Sequence, residues 1–274
     1  MSIGLRRRRS RASRAVVTGA GSGIGAAFAL ELARRGGRVV VSDIDLAAAK
    51  ETVEAITDGG GEALAVPCDV TRLDEVSWLA ERSREWFQQN PTLVVNNAGV
   101  GAGGPLIGET PLEDWKWTLD VNLWGPIHGC HVFAPMLREQ GYGGIINVAS
   151  AAAFGAAPRM AAYNVSKAGV LSLSETLAAE MSGTGVHVSV LCPTFVKTNI
   201  VSNGRIDEQR ADLAGSLMRT TGMSPTRVAR VSLDTLDRGG LYVMPQLDAK
   251  VGWQLKRTFP RTYTAGIGVL GRFT

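Results

Sequence analysis

Tyr163 and Lys167 are the two side chains in this sequence whose spacing most directly suggests chemistry. They are four residues apart, so a helix would place both on one face. A tyrosine titrates near ~10, too high for a general base at neutral pH, and a nearby ammonium group favours the phenolate. The pair therefore indicates proton transfer, provided that the chain also supplies a cofactor, a partner for the substrate oxygen and a pocket. An ordinary surface pair on a helix is the alternative interpretation.

A glycine-rich run near the start of the chain predicts a site for a cofactor phosphate. It is Thr18-Gly19-Ala20-Gly21-Ser22-Gly23-Ile24-Gly25, and it lies between the first predicted strand and the first predicted helix. Glycines let the backbone approach a phosphate, and the helix N-terminus offers free N–H groups with a partial positive charge. The candidate cofactor residues here are Gly19, Gly21, Ser22, Gly23, Ile24 and Gly25. A tight turn without a ligand is the alternative, and no Gly-Lys-Ser/Thr follows that would indicate a nucleotide triphosphatase loop.

Asp43, at the end of the second predicted strand, favours NAD over NADP. It lies at about the ~20-residue offset where a carboxylate reaches the adenosine ribose hydroxyls and repels a 2′-phosphate. No basic residue occupies positions 20–24 or 42–46 to bind that phosphate. Ile44, the next residue, is included among the candidate cofactor contacts. A role of Asp43 as a helix cap or turn residue is compatible with either cofactor.

Strands and helices alternate along the chain. Strands are predicted at 14–18, 38–42, 62–67, 93–96, 144–150, 186–192 and 240–244, and helices at 24–35, 46–58, 72–89, 112–140, 161–181, 205–219 and 225–237. The helix 112–140 is expected to be interrupted near Gly125-Pro126. This alternation predicts one doubly wound, Rossmann-type α/β domain, a parallel sheet flanked by helices on both faces. We assign this domain to residues 14–249, with a disordered leader at 1–13 and an extension at 250–274.

The basic character of the chain is concentrated at its two ends. Residues 1–14 contain six arginines and residues 250–274 contain five bases, with no acid in either stretch, while the net charge of the whole chain is +4. The body between is therefore acidic, which argues against nucleic acid or a membrane as the partner. The leader is interpreted as a solvated tail rather than a signal peptide, because the apolar run after it is short and ends in the glycine loop. No apolar run approaches the ~20 residues of a membrane span.

Cysteine and histidine usage argues against a metal site. The three cysteines, Cys68, Cys130 and Cys192, are far apart and form no CxxC, which is typical of packed thiols in a reduced, cytoplasmic protein. His128 and His131 are three residues apart, without a cysteine or carboxylate set to complete a zinc site. We therefore expect no metal.

These motifs together resemble the short-chain dehydrogenase/reductase family over roughly residues 14–245. The match consists of the glycine run, Asp43, Asp69-Val70, Asn96-Asn97-Ala98-Gly99, Asn122, Ser150, Tyr163 with Lys167, and Pro193, in the order of the family. Two departures are Thr194, where a glycine is common, and a basic C-terminal stretch in place of the usual glycine-rich ending.

The resemblance implies a role for each of four catalytic residues. Asn122 holds a water for proton exchange, and Ser150 hydrogen-bonds the substrate oxygen. Tyr163 is the general acid/base. Lys167 binds the nicotinamide ribose and lowers the pKa of Tyr163. Ser150 and Tyr163 would stabilise an oxyanion during reduction.

The resemblance also extends the set of cofactor contacts. Asp69 and Val70 are expected to hold the adenine, and residues 96–99 to line the cofactor, with Asn96 also stabilising the sheet. Backbone of Pro193 and Thr194 is expected near the nicotinamide. The further cofactor residues are Asn97, Ala98, Gly99, Tyr163, Lys167, Pro193, Val196 and Thr198.

Substrate specificity is expected to come from loops 100–106, 151–160 and 195–223, the last of which is the expected mobile lid. The candidate pocket residues are Ala152, Phe154, Met160, Phe195 and Leu217, while Arg159 and Arg205 are expected to face solvent. Such a pocket would be apolar and roomy. Packing of these residues within the lid itself is the alternative.

The sequence thus predicts an NAD-dependent dehydrogenase or reductase of hydrophobic secondary alcohols and ketones. An NADP(H)-dependent reductase, an epimerase or dehydratase, and a non-catalytic NAD-binding protein are the alternatives. The resemblance also implies a homotetramer or homodimer built through the helices at 112–140 and 161–181.

Overall fold

The computed structural model describes residues 8–198, 200 and 204–270. Within this part of the chain a seven-stranded parallel sheet carries helices on both faces, which confirms the predicted doubly wound fold. In chain order the strands are β1 (Arg14–Thr18), β2 (Arg38–Asp43), β3 (Glu62–Pro67), β4 (Leu93–Asn96), β5 (Ala102–Gly103), β6 (Gly143–Val148), β7 (Val186–Leu191), β8 (Arg205–Ile206) and β9 (Tyr242–Val243). The large sheet has the order β3-β2-β1-β4-β6-β7-β9, and β5 pairs with β8 in a small second sheet.

The helices alternate with these strands. They are α1 (Gly23–Arg34), α2 (Leu46–Asp58), α3 (Leu73–Phe87), α4 (Leu112–Leu119), α5 (Gly125–Gln140), α6 (Ala152–Gly155), α7 (Ala161–Glu180), α8 (Glu208–Thr221), α9 (Pro225–Asp237), α10 (Leu247–Thr258) and α11 (Pro260–Leu270). The predicted helix at 205–219 therefore begins later, because its first two residues pair with β5.

The central strands are apolar throughout because both faces of the sheet are covered. Val16 packs into one core with residues of α3 and α5, and its neighbour Val17 packs into the other core with residues of α1 and α9. Successive side chains of a strand point to opposite faces, so a doubly covered strand needs apolar residues at every position. The order of the sheet reverses at β1, which lies between β2 and β4. Ligands in open α/β sheets bind at this reversal, beyond the carboxyl ends of the strands.

A π-helical turn, Asp120–Trp124, joins α4 to α5. The N–H of Gly125 donates to the carbonyl of Asp120, five residues earlier, instead of to the usual carbonyl four residues earlier. The next residue, Pro126, has no N–H to donate, so the helical ladder is weakened at this place. The predicted interruption near Gly125-Pro126 is thus a wider turn that begins before them and contains Asn122.

A buried polar network ties the middle of the sheet to its helices. Asn96 Nδ2 donates to Asn147 Oδ1 at 2.8 Å, and Asn147 Nδ2 donates to Ser174 Oγ at 3.0 Å. Cys130 Sγ lies 3.6 Å from Asn96 Nδ2. Buried amides need such partners, and the network bears out the expectation that Asn96 stabilises the sheet.

The described part of the predicted leader, residues 8–13, is ordered, contrary to our expectation of disorder at 1–13. Ser10 is fully buried, and its N–H and hydroxyl both donate to the Asp237 carboxylate, at 2.9 and 2.6 Å. Arg35 also donates to the Ser10 hydroxyl. Residues 1–7, which include Arg6 and Arg7, lie outside the described residues. The basic composition of residues 8–13 did not indicate that they pack against the body, because the contact is made by a serine with an aspartate that is distant in the sequence.

The expected boundary between domain and extension, after Ala249, falls inside helix α10. Ala249 is buried, and Trp253 on the same face packs edge-on against Phe154 with ring centroids 5.0 Å apart. The helix therefore belongs to the packed body from Leu247 onward.

Candidate active site

A cavity of about 470 Å³ opens beyond the carboxyl ends of the sheet, at the point where the strand order reverses. Its wall includes residues that follow β1, β2, β3, β4, β6 and β7. Most of the side chains selected from the sequence as catalytic or cofactor-binding lie along this wall.

Ser150, Tyr163 and Lys167 line one side of the cavity. Ser150 follows β6, where its hydroxyl accepts a hydrogen bond from the N–H of Ala152 at 3.1 Å. Tyr163 and Lys167 are on α7, one turn apart, as the spacing predicts. The sheet and one helix thus place a hydroxyl, a phenol and an ammonium group around the same space.

Burial raises the pKa of Tyr163 above its usual 10, and a hydrogen bond with Ser150 acts in the opposite direction. The expected lowering of this pKa by Lys167 is not seen. Lys167 Nζ lies 5.7 Å from the centre of the phenol ring and donates to the carbonyl of Val148 at 3.1 Å. The phenol is therefore in its neutral form at neutral pH, in the state required to donate a proton.

Lys167 is almost completely buried, and this burial lowers its pKa to about 8. The value remains above 7, so the ammonium form predominates at neutral pH. Gly99 lies beside it: a Cβ at that position would come within 3.3 Å of Nζ. The lysine is thus a fixed positive charge in a pocket of low polarity.

Asn122 does not line the cavity, but it holds the loop after β4, which does. Its side chain is fully buried, and its amide makes two hydrogen bonds with the backbone of Val100, accepting from the N–H at 2.7 Å and donating to the carbonyl at 2.8 Å. Because both polar ends of the amide are used, Asn122 fixes the chain directly after β4. Val100 itself lines the cavity.

The glycine loop has the geometry of a backbone cradle. Gly19 and Gly23 have φ of +60° and +56°, in the left-handed region that favours glycine. A Cβ at Gly25 would lie 2.1 Å from the carbonyl oxygen of Gly19, so a side chain cannot be accommodated there. The first turn of α1 has no acidic residue, and Ser22 makes no side-chain cap, which leaves the N–H groups of this turn directed toward the cavity end of the helix.

Asp43 lies at the end of β2, on the cavity wall, and is held by backbone donors. Its Oδ2 accepts from the N–H of Gly21 at 2.8 Å, and its Oδ1 accepts from the N–H of Asp45 at 3.1 Å. Gly21 therefore contacts the carboxylate instead of lining the cavity. Ile44 lines the cavity and is 72% exposed, so it offers an apolar surface to a ligand.

The loop after β4 is locked to the glycine loop. Asn97 Nδ2 donates to the carbonyls of Thr18 and Gly19, both at 2.9 Å, and Thr18 Oγ1 accepts from the N–H of Asn97 at 3.1 Å. Of the remaining predicted cofactor residues, the cavity wall contains Gly19, Ser22, Gly23, Ile24, Asp69, Val70, Asn97, Ala98, Gly99, Pro193, Val196 and Thr198. Asp69 also accepts from the N–H and hydroxyl of Thr71, which leaves its second oxygen for a ligand.

The predicted substrate residues whose side chains are described do not line the cavity. Those absent from its wall are Ala152, Phe154, Met160 and Phe195. Phe154 is buried against Trp253. Met160 immediately precedes α7, beside Gly103. Phe195 is partly exposed, and its carbonyl is bonded by Met223 and Gln246. The side chain of Leu217, and positions 199 and 201–203 of the expected lid, lie outside the described residues.

The cavity wall also includes apolar residues that we call the apolar wall. It consists of Val100, Trp117, Val121, Ile200 and Met218. Trp117 and Val121 were not selected from the sequence. Val121 directly precedes Asn122, and Trp117 lies one helical turn before Val121, so their spacing from Asn122 was the available signal.

Arg205 is exposed, as expected, and it also covers Trp117. Its guanidinium carbon lies 4.5 Å from the centre of that ring, and its NH1 is 2.5 Å from Asp114 Oδ1. Arg205 belongs to β8 and Asp114 to α4, so this contact joins the expected lid to the wall of the cavity.

Two further features concern metal-binding groups and membrane-spanning helices. Among the described residues, no group of histidine, cysteine, aspartate or glutamate side chains is arranged to hold a metal ion. A search of the same residues finds no helix with the length and apolar character needed to cross a membrane.

Comparison with known proteins places the same region in a family. A family model described as short chain dehydrogenase matches residues 13–209. The probable oxidoreductase EphD of Mycobacterium tuberculosis is 44% identical over 188 residues, which are 68% of this chain and 31% of EphD. The chain thus matches about a third of the length of that relative. The 1-deoxy-11-beta-hydroxypentalenate dehydrogenase of Streptomyces exfoliatus is 36% identical over 241 residues, 86% of this chain and 84% of that enzyme.

Solved structures give the same result for the fold. A short-chain dehydrogenase/reductase from Burkholderia phymatum, in complex with NAD, has a TM-score of 0.86 and 32% identity, and the alignment covers 91% of this chain and 94% of that one. The apo form of LigD from Sphingobium sp. strain SYK-6 has a TM-score of 0.76 and 26% identity, with 88% and 92% coverage.

Proposed function

This chain belongs to the short-chain dehydrogenase family, and on that premise we propose that it is an oxidoreductase that transfers a hydride between NAD(H) and a hydrophobic secondary alcohol or ketone. The observation that carries the proposal is one cavity whose lining contains both Ser150, Tyr163 and Lys167 and the residues of the apolar wall. The glycine loop and Asp43 lie along the same cavity.

The residues present fit a nicotinamide dinucleotide. The cradle of glycines beneath the first turn of α1 suits a pyrophosphate. Asp43, held by two backbone N–H groups, presents a carboxylate toward the diol of a ribose. Lys167 is the one basic side chain among the described residues of the cavity wall. These residues therefore include no arginine or second lysine that could bind a 2′-phosphate. These features support NAD over NADP.

The protein would manage the proton while the bound nicotinamide supplies the hydride donor or acceptor. In reduction, the neutral phenol of Tyr163 donates its proton to the carbonyl oxygen, and Ser150 donates a hydrogen bond to the same oxygen. In oxidation, Tyr163 accepts the alcohol proton.

Lys167, cationic at neutral pH, stabilises negative charge near the phenol and is positioned to bind a ribose hydroxyl.

The apolar wall supports a substrate of low polarity. Val100, Trp117, Val121, Ile200 and Met218 present no charged group to the cavity. One relative, the Streptomyces dehydrogenase, carries in its name a substrate with a hydroxyl group. A hydrophobic secondary alcohol would place its hydroxyl between Ser150 and Tyr163 and its apolar part against this wall.

A substrate screen tests the proposal. Aryl, terpenoid and steroid secondary alcohols are incubated with NAD or NADP, and the formation of reduced cofactor is followed by absorbance. We expect turnover with at least one class and a preference for NAD. Binding of NAD by calorimetry with no turnover in either direction would instead favour a non-catalytic NAD-binding protein, and a preference for NADP would overturn the role given to Asp43.

We further propose that the chain forms a homodimer or homotetramer through α4, α5 and α7. Large apolar side chains are exposed on these elements and the π turn between them, including Leu112 on α4, Trp124 in the π turn and Val165 on α7. Light scattering tests this assembly, and a monomer at micromolar concentration would contradict it.

A further inference from the structure

Helix α10 carries apolar side chains on its outer face. Leu247, Val251, Leu255 and Phe259 follow one another at intervals of four residues, from the start of the helix to its C-cap, and form what we call the outer stripe. They are 75%, 48%, 47% and 58% exposed. The opposite face is already packed, with Ala249 buried and Trp253 against Phe154 and Tyr242. The outer stripe is therefore not needed to attach the helix to the body.

Basic residues accompany this stripe. Lys250 and Arg257 are exposed and seven residues apart, so both lie along the same edge of the stripe. Lys256 and Arg261 add positive charge nearby, and residues 249–274 contain no aspartate or glutamate. This composition contrasts with the acidic body of the chain. A helix with an exposed apolar stripe and a basic edge is typical of segments that lie in a membrane interface.

We propose that the outer stripe binds the surface of a membrane containing anionic phospholipids. The four apolar side chains would enter the boundary between headgroups and acyl chains, and Lys250 and Arg261 would contact the phosphates. Such binding needs no spanning helix, and it revises the expectation from net charge that a membrane is not a partner. It stands on the exposed face of α10, independently of the catalytic proposal.

Charge favours a lipid surface over a second copy of the chain. A two-fold axis through the outer stripe would bring each residue near its own equivalent region on the other copy. Lys250, Lys256 and Arg257 of both copies would then be brought together, with Asp248 as the only acid on α10 to offset them. An anionic bilayer neutralises this charge.

The stripe lies beside the rim of the cavity. Gln246, the N-cap of α10, accepts from the N–H of Thr194 at 3.3 Å and donates to the carbonyl of Phe195 at 3.0 Å. The Thr194 hydroxyl donates to Asp248 at 3.2 Å, and Thr194 lines the cavity. A bilayer bound to α10 would therefore lie next to the side of the cavity formed by this segment.

Vesicle sedimentation tests the proposal with the full chain. The vesicles are made of phosphatidylcholine alone or of equal parts of phosphatidylcholine and phosphatidylglycerol. We expect the protein to sediment with the anionic vesicles and to be released by high salt. The double variant L255Q/F259Q should bind about tenfold more weakly because it loses two inserting side chains, and K250Q/R261Q should also weaken binding. The matched control is W78Q, which removes a similarly exposed apolar side chain from α3 and should bind normally.

Circular dichroism and NAD binding verify that each variant is folded. Equal binding to both kinds of vesicle, or a wild-type protein that stays in the supernatant, would overturn the proposal. Equal loss of binding in W78Q would do the same, because it would assign the effect to general hydrophobicity. A concentration-dependent dimer that L255Q/F259Q abolishes, without vesicle binding by the wild type, would assign the stripe to a second copy instead.

Discussion

The ammonium group of Lys167 lies 5.7 Å from the ring centre of Tyr163, and its hydrogen bond goes to the carbonyl of Val148, not to the phenol. The two side chains share one face of α7 but are not bonded to each other. Lys167 is thus held in place by the end of β6, the strand that precedes Ser150. Burial raises the pKa of Tyr163, and the hydrogen bond with Ser150, not the charge of Lys167, opposes that shift.

Tyr163→Phe should abolish turnover and preserve cofactor binding. The substitution removes the only group that exchanges a proton with the substrate oxygen in the proposed mechanism, and general acid–base catalysis contributes roughly 10²–10⁴-fold. The measurement combines NADH formation with calorimetric titration of NAD. A variant that keeps wild-type turnover would refute the assignment of Tyr163. Tyr242→Phe is the control, since its hydroxyl is bonded to Glu175 outside the cavity.

Cofactor affinity should fall as pH rises through about 8. Burial lowers the pKa of Lys167 to about 8, so the group is cationic below that pH and neutral above it. If its ammonium group binds the ribose, the affinity for NADH, measured by fluorescence, is lost with the proton. The variant Lys167→Met should bind weakly at every pH, without this step. A wild-type affinity that is constant between pH 7 and 9 would remove Lys167 from the cofactor site.

Asp43→Ala should reduce the preference for NAD over NADP by about tenfold, since a hydrogen bond to a charged group contributes roughly 1.5–3 kcal/mol. The change removes both the acceptor for the ribose diol and the repulsion of a 2′-phosphate. The ratio of kcat/KM for the two cofactors is the quantity to measure. Asp45→Ala is a matched control: this neighbouring carboxylate caps α2 by accepting from Ala47 and Ala48, so its loss should affect stability and leave the ratio unchanged. Equal ratios in wild type and Asp43→Ala would contradict the assignment.

The sequence predicted contacts between residues that are close together in the chain, and it missed contacts between residues that are far apart in the chain. The glycine loop and Asp43 could be found because strand, turn and helix are consecutive in the chain, and so could Tyr163 and Lys167 on one helix. Phe154 was misplaced because its partner, Trp253, comes from a helix about 100 residues later. No spacing rule reports such a contact. Trp117 was overlooked although it lies close to Asn122 in the sequence, because only the fold shows that α4 reaches the cavity.

Glu31 should contribute stability that acid removes. It is buried on α1, where hydrogen bonds from Arg34 and Arg35 outweigh burial and lower its pKa from 4.5 to about 2. The folded state therefore holds this proton less tightly than the unfolded chain. The resulting stability is complete above about pH 4.5 and is lost progressively as pH falls toward 2.

Glu31→Gln should lower the free energy of unfolding at pH 7 by on the order of 1–3 kcal/mol, because the neutral amide loses one of the two oxygens that accept from Arg34 and Arg35 and the charge that pairs with them. Urea unfolding at pH 7 and at pH 4 measures the effect, which should be smaller at the lower pH. Glu81→Gln is the control, because its pair with Arg84 is exposed on both sides and should contribute little. An equal effect of the two substitutions would show that the Glu31 cluster is not a stabilising feature.

Trp117→Ala should change substrate selectivity more than it changes the chemistry. The indole lines the cavity and is covered by the guanidinium of Arg205, which is paired in turn with Asp114. An aryl substituent packed against this ring loses apolar contact when the ring is removed, so KM for 1-phenylethanol should rise about tenfold, with a smaller change for propan-2-ol.

Arg205→Met, which keeps the aliphatic part of the side chain and removes the charge, should shift selectivity in the same direction but less. Trp78→Ala, which removes a half-exposed tryptophan of α3 outside the cavity, should leave the ratio unchanged. If Trp117→Ala lowers kcat for both alcohols equally, the ring supports the catalytic side of the cavity and does not select the substrate.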